Sequence, residues 1–100
     1  MNEFTQEVIK IIGSIPSGKV MSYGGIAKMA NNDRGARQVT RILHTMSKKH
    51  NLPWHRVISS KGKISIPNEE GANEQRRRLI AEGVEVSENF KIDLSKFQWI

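Results

Sequence analysis

The residues with the most distinctive chemistry form one pentapeptide, Pro-Trp-His-Arg-Val, at residues 53–57. Its tryptophan, Trp54, offers an N–H donor and a flat apolar face but no nucleophile. The chain contains no cysteine, which excludes thiolate catalysis, disulfides and cysteine zinc sites. The three histidines, His44, His50 and His55, lack metal-ligand spacing with carboxylates, and no serine lies in a nucleophile elbow. We therefore predict no catalytic residue, no metal site and no cofactor.

The charge balance points to a polyanionic partner. Sixteen Lys and Arg residues stand against ten Asp and Glu residues, which gives a net charge of +6. Nucleic acid is the first candidate partner and an anionic membrane surface the second. The sequence has no long amphipathic helix with a bulky aromatic face of the kind that lies in a membrane interface. Nucleic acid is therefore favoured, and no membrane partner is predicted.

Three helices are predicted before the pentapeptide. The first spans roughly residues 3–14, because apolar residues recur at helical spacing and Pro16-Ser17-Gly18 then forms a turn. A short link follows at residues 19–21, and an extended backbone is one conformation open to it. Ser22 is a suitable cap for a second helix that carries Ile26 and Ala27. The third helix spans roughly residues 34–47 and has an apolar face of Ala36, Val39, Ile42, Leu43 and Met46.

The opposite face of the third helix is basic. Its members recur every three or four residues and are Arg34, Arg37, Arg41, His44 and Lys48, with Thr40 beside them. Such a stripe is often no more than a solvated face. Here it lies on the second of two short helices joined by a polar turn, which is the arrangement of a helix-turn-helix. We therefore expect the basic stripe to enter a DNA groove.

The part of the chain after the pentapeptide is predicted to add a small hairpin, a helix and a strand. Val57-Ile58 and Ile64-Ser65-Ile66 flank a turn signal at Lys61-Gly62-Lys63, which suggests the wing of a winged helix-turn-helix. Residues 67–71 are predicted to form a loop, and Asn73 is a candidate cap for a helix that ends at Gly83. The alternation of Phe90, Ile92 and Leu94 favours a strand, with Phe97 and Trp99 packed on the core.

The length of 100 residues supports one small domain over residues 1–100, of α/β class but mainly helical. No secretion signal and no apolar stretch of membrane-spanning length is present in the sequence. We expect a soluble cytoplasmic protein that associates with the nucleoid through DNA.

The order of these residues resembles that of the O6-alkylguanine-DNA alkyltransferases over roughly residues 3–84. The matching groups are Phe4-Thr5, Ser22-Tyr23-Gly24, Ala36-Arg37-Gln38-Val39, His55-Arg56-Val57-Ile58 and Glu82-Gly83. Trp54 occupies the place of the acceptor cysteine, so the chain is most similar to the alkyltransferase-like proteins of that family. The resemblance implies a single winged helix-turn-helix-like domain similar to the C-terminal domain of the transferases. Two departures are Met46, where the family usually has Asn, and the loop at residues 65–68.

The resemblance also implies roles for individual residues. Tyr23 corresponds to the tyrosine that helps to rotate the target nucleotide out of the stack, and Arg37 to the arginine that fills the gap. Ala36 and Thr40 are small enough to let the helix approach DNA closely. The implied DNA-binding set is Thr5, Tyr23, Gly24, Ala36, Arg37, Thr40, Arg41, His44 and Ser60.

The family likeness further implies a lesion pocket in which Trp54 forms a wall. Its predicted members are Tyr23, Leu43, Trp54, Val57, Ile64 and Ser65. In the transferases the counterparts of His55 and Glu82 activate the cysteine, so here both are interpreted as an inherited network, and Arg56 as structural. The backbone of the loop at residues 65–68 is expected to face the lesion oxygen.

The implied function is non-enzymatic recognition of DNA damage. The protein is expected to bind O6-alkylguanine in duplex DNA through minor-groove helix-turn-helix contact and nucleotide flipping, without alkyl transfer. It is expected to act as a monomer and to mark lesions for nucleotide excision repair proteins. One alternative is a winged-helix transcription regulator that reads the major groove. Another is a hydrolase or transferase with a different nucleophile.

Overall fold

The computed structural model describes residues 2–100 and begins with helix α1, Glu3–Ser14. The helix starts where the Asn2 side chain accepts a hydrogen bond from the Thr5 N–H, at 2.8 Å. It buries Val8, Ile11 and Ile12, and it ends where Ile15 turns to an extended backbone. The bounds predicted from apolar spacing, residues 3–14, are confirmed.

The next elements form the helix-turn-helix. A two-residue strand β1, Met21–Ser22, leads into helix α2, Tyr23–Met29, whose first turn is capped by the Ser22 hydroxyl accepting from the Gly25 N–H at 2.9 Å. Helix α3, Ala36–Met46, follows and buries Val39, Ile42 and Leu43. The predicted cap at Ser22 and the predicted third helix are both confirmed, the latter one to two residues shorter at each end.

The turn between α2 and α3 is held by its own polar groups. Asn31 adopts a left-handed φ of 66°, and the side-chain oxygen of Asn32 accepts from the Arg34 N–H at 3.2 Å. A Cβ on Gly35 would lie 2.9 Å from the Phe4 ring, so only glycine lets α1 pack this closely against the start of α3. Helices α1, α2 and α3 therefore form one packed unit around a first core cluster that includes Val8, Ile12, Ile26, Val39, Leu43 and Val57.

The pentapeptide forms a single turn of 3-10 helix, Trp54–Arg56, followed by strand β2, Val57–Ile58. Strand β2 pairs in parallel with β1, with Met21 opposite Val57 and Ser22 opposite Ile58. The predicted hairpin with residues 64–66 is therefore wrong in its pairing. A turn does form, because the Ser59 N–H donates to the Lys63 carbonyl at 3.0 Å, but the Ile64 N–H donates to Phe90 instead of to the arm of a hairpin.

Helix α4 spans Glu69–Ala81 and begins earlier than predicted. The Asn68 side chain, not that of Asn73, accepts from the Gly71 N–H at 2.9 Å, so residues 69–71 are helical rather than part of a loop. The earlier start is favoured because it aligns Ala72, Gln75 and Leu79 on the buried face. The helix ends before Gly83, whose φ of +92° agrees with the predicted stop.

The tail contains no strand over residues 90–94, in contrast to the prediction. Instead it forms two isolated bridges, Lys63 with Lys91 and Val20 with Gln98, and a short helix α5, Leu94–Phe97. Phe97 is buried in a second core cluster with Val20, Ile58, Leu79 and Val84, and Trp99 is half-buried against the first cluster. The predicted packing of these two aromatic residues on the core is confirmed. No helix within residues 2–100 is long and apolar enough to cross a membrane.

Candidate nucleic-acid interface

The basic stripe predicted on α3 is a continuous exposed surface. Arg37, Arg41 and His44 project from the helix, and Arg34 and Lys48 extend the stripe beyond its two ends; all five are exposed. None of these five residues forms an ion pair with any side chain of residues 2–100. Unpaired exposed cations attract phosphate groups without sequence preference, so the stripe is suited to DNA.

The side chains that lie between the basic residues of α3 are small and project little from the helix. Ala36 has only a methyl group, and the Thr40 hydroxyl donates to the Ala36 carbonyl at 3.1 Å, which folds this side chain back onto its own helix. A backbone or a base pair can therefore approach α3 closely between Arg37 and Arg41. The role of these small residues in close contact with DNA stays a prediction.

A cavity of about 510 Å³ opens beside the C-terminal half of α3. We call it the first cavity. It draws on five parts of the fold and is lined by Tyr23, Thr40, Leu43, His44, Ser47, Trp54, Ser65, Ile66, Pro67 and Gln75. Tyr23 and Trp54 pack on the first core cluster and Ile66 packs on the second, so the cavity lies where the two clusters meet. Its size is in the usual range for pockets that enclose a small organic ligand.

Tyr23 is the first residue of α2 and is placed at the cavity by the Ser22 cap. Burial raises the pKa of its hydroxyl above the ordinary value of 10.0. The hydroxyl therefore stays protonated at physiological pH and is able to donate a hydrogen bond, for example to a phosphate oxygen.

Trp54 is half-buried at the start of the 3-10 helix, and its ring stands edge-on to the His55 ring, with centroids 6.2 Å apart. Its indole gives the cavity an aromatic wall of the kind on which a nucleobase stacks. Trp54 thus lines the cavity, and its role as the wall of a lesion pocket stays a prediction.

Behind the wall, Glu82 organises a network of hydrogen bonds. Its carboxylate accepts from Arg56 Nη2 at 2.7 Å and from the Gly18 N–H at 3.1 Å, and it lies 2.7 Å from His55 Nε2. Burial alone would raise the pKa of Glu82, but the bonds from Arg56, His55 and Gly18 outweigh it and lower the pKa to about 2. Glu82 is therefore ionised at neutral pH. Arg56 also donates to the Ile15 carbonyl at 2.8 Å, whereas His55 Nδ1 is buried without a hydrogen-bond partner among residues 2–100.

Gln75 was missed by the sequence reasoning although it lines the cavity. Its amide group is buried and donates to the His55 carbonyl at 3.0 Å and to the Val57 carbonyl at 2.9 Å. It thereby ties helix α4 to the backbone of the pentapeptide, immediately after Trp54. A signal was available, because Gln75 shares a helical face with Ala72 and Leu79 and a polar residue on a buried face needs partners.

The remaining predicted residues are more scattered. Leu43 and Ser65 line the first cavity, whereas Val57 and Ile64 are buried in the core and do not line it. Thr5 and Arg41 line a shallower cavity of about 260 Å³ between α1 and α3. Gly24 is half-buried on α2, and Ser60 is exposed in the turn after β2.

The loop beyond Ser65 contributes more than was expected. Ile66 and Pro67 line the cavity together with Trp54, and His44 on α3 and Ser47 at its C-terminal cap line it as well. Met46, where the chain departs from the family, is the last residue of α3. The turn that follows is closed by backbone hydrogen bonds, one of which the Leu52 N–H donates to the Ser47 carbonyl at 2.8 Å. Across residues 2–100 no group of three His, Asp or Glu side chains is arranged to hold a metal ion.

Comparison with known proteins places the chain among DNA-binding proteins. Residues 3–84 match the family model described as the DNA-binding domain of 6-O-methylguanine DNA methyltransferase. A DNA base-flipping protein of Vibrio parahaemolyticus is 44% identical over 99 residues, covering 99% of this chain and 98% of that protein. Alkyltransferase-like protein 1 of Schizosaccharomyces pombe is 38% identical over 104 residues, covering 99% of this chain and 96% of that protein.

Solved structures agree with the sequence comparisons. The crystal structure of S. pombe Atl1 in complex with damaged DNA containing O6-carboxymethylguanine superposes with a TM-score of 0.89 at 36% identity. That match covers 100% of this chain and 97% of the other. The mainly helical fold predicted by the family resemblance is therefore confirmed.

Proposed function

The chain belongs to the alkyltransferase-like proteins, which share the DNA-binding domain of the 6-O-methylguanine DNA methyltransferases, and from this membership we propose that it recognises O6-alkylguanine in duplex DNA without removing the alkyl group. The observation that carries the proposal is the position of Trp54. It walls a cavity beside an exposed basic helix, at the point in the sequence motif where the transferases keep their cysteine.

The basic stripe supplies the first stage of binding. Arg34, Arg37, Arg41 and Lys48 displace counterions from the phosphates, which gives affinity that does not depend on sequence and that falls as salt rises. In our proposal α3 lies in the minor groove, where its low surface at Ala36 and Thr40 permits close contact. Thr5, Gly24 and Ser60 contact the flanking backbone.

The second stage is extrusion of the damaged nucleotide. Flipping a base costs a few kcal/mol, and it costs less for a base whose pairing is already weak. O6-alkylation removes the N1 proton that guanine uses in pairing, so the lesion is cheaper to extrude than a normal base. Tyr23 crowds the phosphate of the extruded nucleotide, and the planar guanidinium of Arg37 stacks in the gap that is left.

The first cavity then holds the extruded base. Stacking on an aromatic side chain contributes about 1–3 kcal/mol per base, which offsets much of the cost of flipping. Each CH2 group of the adduct that becomes buried adds about 0.8 kcal/mol. Trp54, Leu43, Ile66 and Pro67 supply the apolar surface for this burial, so affinity should rise with adduct size until the cavity is full.

No alkyl transfer follows, because the site holds no thiol. The chain has no cysteine, and the His55–Glu82–Arg56 network is occupied with internal hydrogen bonds. Retention of the bound lesion would leave a long-lived complex. We propose that this complex, formed by a monomer in the cytoplasm, marks the lesion for nucleotide excision repair proteins.

The test is a titration of labelled duplexes that differ only by one O6-methylguanine. We expect the lesion duplex to bind at least tenfold more tightly, since its base is cheaper to flip and stacks on Trp54. Intact-mass spectrometry of the protein after incubation should show no added alkyl group. Equal affinities for the two duplexes would contradict the proposal. Affinity that depends on the base sequence of undamaged duplexes would instead indicate a transcription regulator.

A further inference from the structure

Trp54 separates the first cavity from a second one. The second cavity has a volume of about 620 Å³ and is lined by polar and cationic side chains that include Lys48, Arg56 and Arg78. Trp54 and Ser47 line both cavities. Trp54 therefore borders open space in two cavities, so contacts from the second cavity can affect how its ring is held.

Arg78 provides a contact to the indole from the side of the second cavity. Its guanidinium carbon lies 5.4 Å from the centroid of the Trp54 ring, within the range of a cation–π interaction. Arg78 lines the second cavity and not the first. The guanidinium therefore covers the indole from the side that a bound base would not occupy.

Arg78 is itself held by a carboxylate on the same helix. Arg78 Nε donates to Glu74 Oε2 at 2.7 Å, one helical turn away, and Glu74 also pairs with Arg77. The hydrogen bond from Arg78 lowers the pKa of Glu74, so the carboxylate is ionised at neutral pH. The two anchors, an ionised carboxylate and an aromatic ring, restrict a side chain that is otherwise about half exposed.

We propose that Arg78 is a positioning residue that fixes the Trp54 ring and thereby sets the size of adduct that the first cavity accepts. This inference rests on the proposed function, because it concerns the same cavity. Without the guanidinium, the indole is free to turn into the second cavity. Small adducts then lose a well-ordered stacking surface, while bulky adducts gain room.

The experiment compares Arg78→Met with Arg77→Met as a matched control. Both variants lose one positive charge beside Glu74, but Arg77 makes no contact with the Trp54 ring. We expect Arg78→Met to weaken binding of an O6-methylguanine duplex roughly two- to fivefold and to weaken binding of an O6-benzylguanine duplex less. Arg77→Met should change both affinities by one common factor, and Arg78→Lys should restore part of the wild-type ratio.

A second measurement needs no DNA. In a Trp99→Phe background Trp54 is the only tryptophan, and Arg78→Met should lower its fluorescence anisotropy while Arg77→Met leaves it unchanged. Unaltered anisotropy, or equal methyl-to-benzyl ratios in the two variants, would overturn the role of Arg78. Failure of the wild type to prefer a lesion would instead overturn the proposed function, and the anisotropy would still decide whether Arg78 positions the ring.

Discussion

At the scale of single residues, the proposed function depends on an indole, that of Trp54, at the place in the motif where the transferases keep a thiol. The Glu82 network shows what remains when no thiol is present: Arg56 bridges Glu82 on one side and the Ile15 carbonyl on the other, and Gly18 donates to the same carboxylate. These bonds join the end of α1 to the end of α4. The network therefore stabilises the packing of these elements next to the cavity.

Arg37 should matter for lesion binding beyond its charge. We expect Arg37→Ala to weaken binding to an O6-methylguanine duplex roughly tenfold, because a stacked guanidinium is lost together with a phosphate contact. The affinity for undamaged duplex should fall less, so the ratio of the two affinities should shrink. Fluorescence titration of both duplexes at several salt concentrations measures these changes.

The matched control for this prediction is Arg34→Ala. Arg34 is equally exposed and lies in the turn before α3, so its loss removes the same charge. Both variants should reduce the slope of log affinity against log salt by about 0.9. If Arg34→Ala lowered the lesion preference as much as Arg37→Ala does, the stacking role of Arg37 would be contradicted.

At the scale of elements, the start of helix α4 gives a direct test of capping. We expect Asn68→Ala to destabilise the protein by about 1 kcal/mol, because the Gly71 N–H loses its acceptor. Asn73→Ala is the control: Asn73 is exposed inside the helix, where alanine is a better helix former, so stability should stay equal or rise by a few tenths of a kcal/mol. Urea denaturation measures both, and the reverse ranking would place the cap at Asn73.

The elements that the sequence predicts well are those encoded locally. Helices α1, α2 and α3 have apolar residues at helical spacing, and Ser22 is a recognisable cap for α2, so these helices follow from nearby residues. Helix α4 has two asparagines that are both suitable caps. The choice between them depends on which residues face the core, and that is a tertiary property.

The strands were predicted poorly because their partners are distant in the sequence. Val57 pairs with Met21 instead of its near neighbour Ile64, and the Ile64 N–H bonds to Phe90. A two-residue strand carries too short an alternation to specify a partner. Distance in the sequence limits the prediction of the site as well. The basic stripe and Trp54 were predicted, but the contribution of Pro67 to the cavity was not, because it depends on where α4 packs.

At the scale of the whole molecule, Glu82 links stability to pH. Its pKa is lowered from 4.5 to about 2 in the folded protein. Its contribution to the free energy of unfolding is therefore present above pH 4.5 and is lost as the pH falls through about 2. We expect this residue to account for about 2–3 kcal/mol of acid destabilisation over that window. Urea midpoints at several pH values between 5 and 2 measure the effect.

Two variants separate this effect from general acid denaturation. Glu82→Gln should be less stable than the wild type at pH 7, since Arg56 loses an ionised partner, and it should lose less stability on acidification. Glu85→Gln removes an exposed carboxylate that pairs with Lys96 on the surface, and it should follow the wild-type curve. Parallel curves for Glu82→Gln and the wild type would show that another group controls acid unfolding.

The parallel pairing of β1 with β2 has a consequence for the time course of folding. It joins Met21 to Val57, and so it brings Tyr23 and Trp54 to the same cavity only after α2, α3 and the turn beyond them have docked. Contacts between distant parts of a chain form late, because the entropy of closing the loop between them is lost before the contacts stabilise the chain. During refolding, the recovery of DNA binding should therefore lag behind the recovery of helical signal.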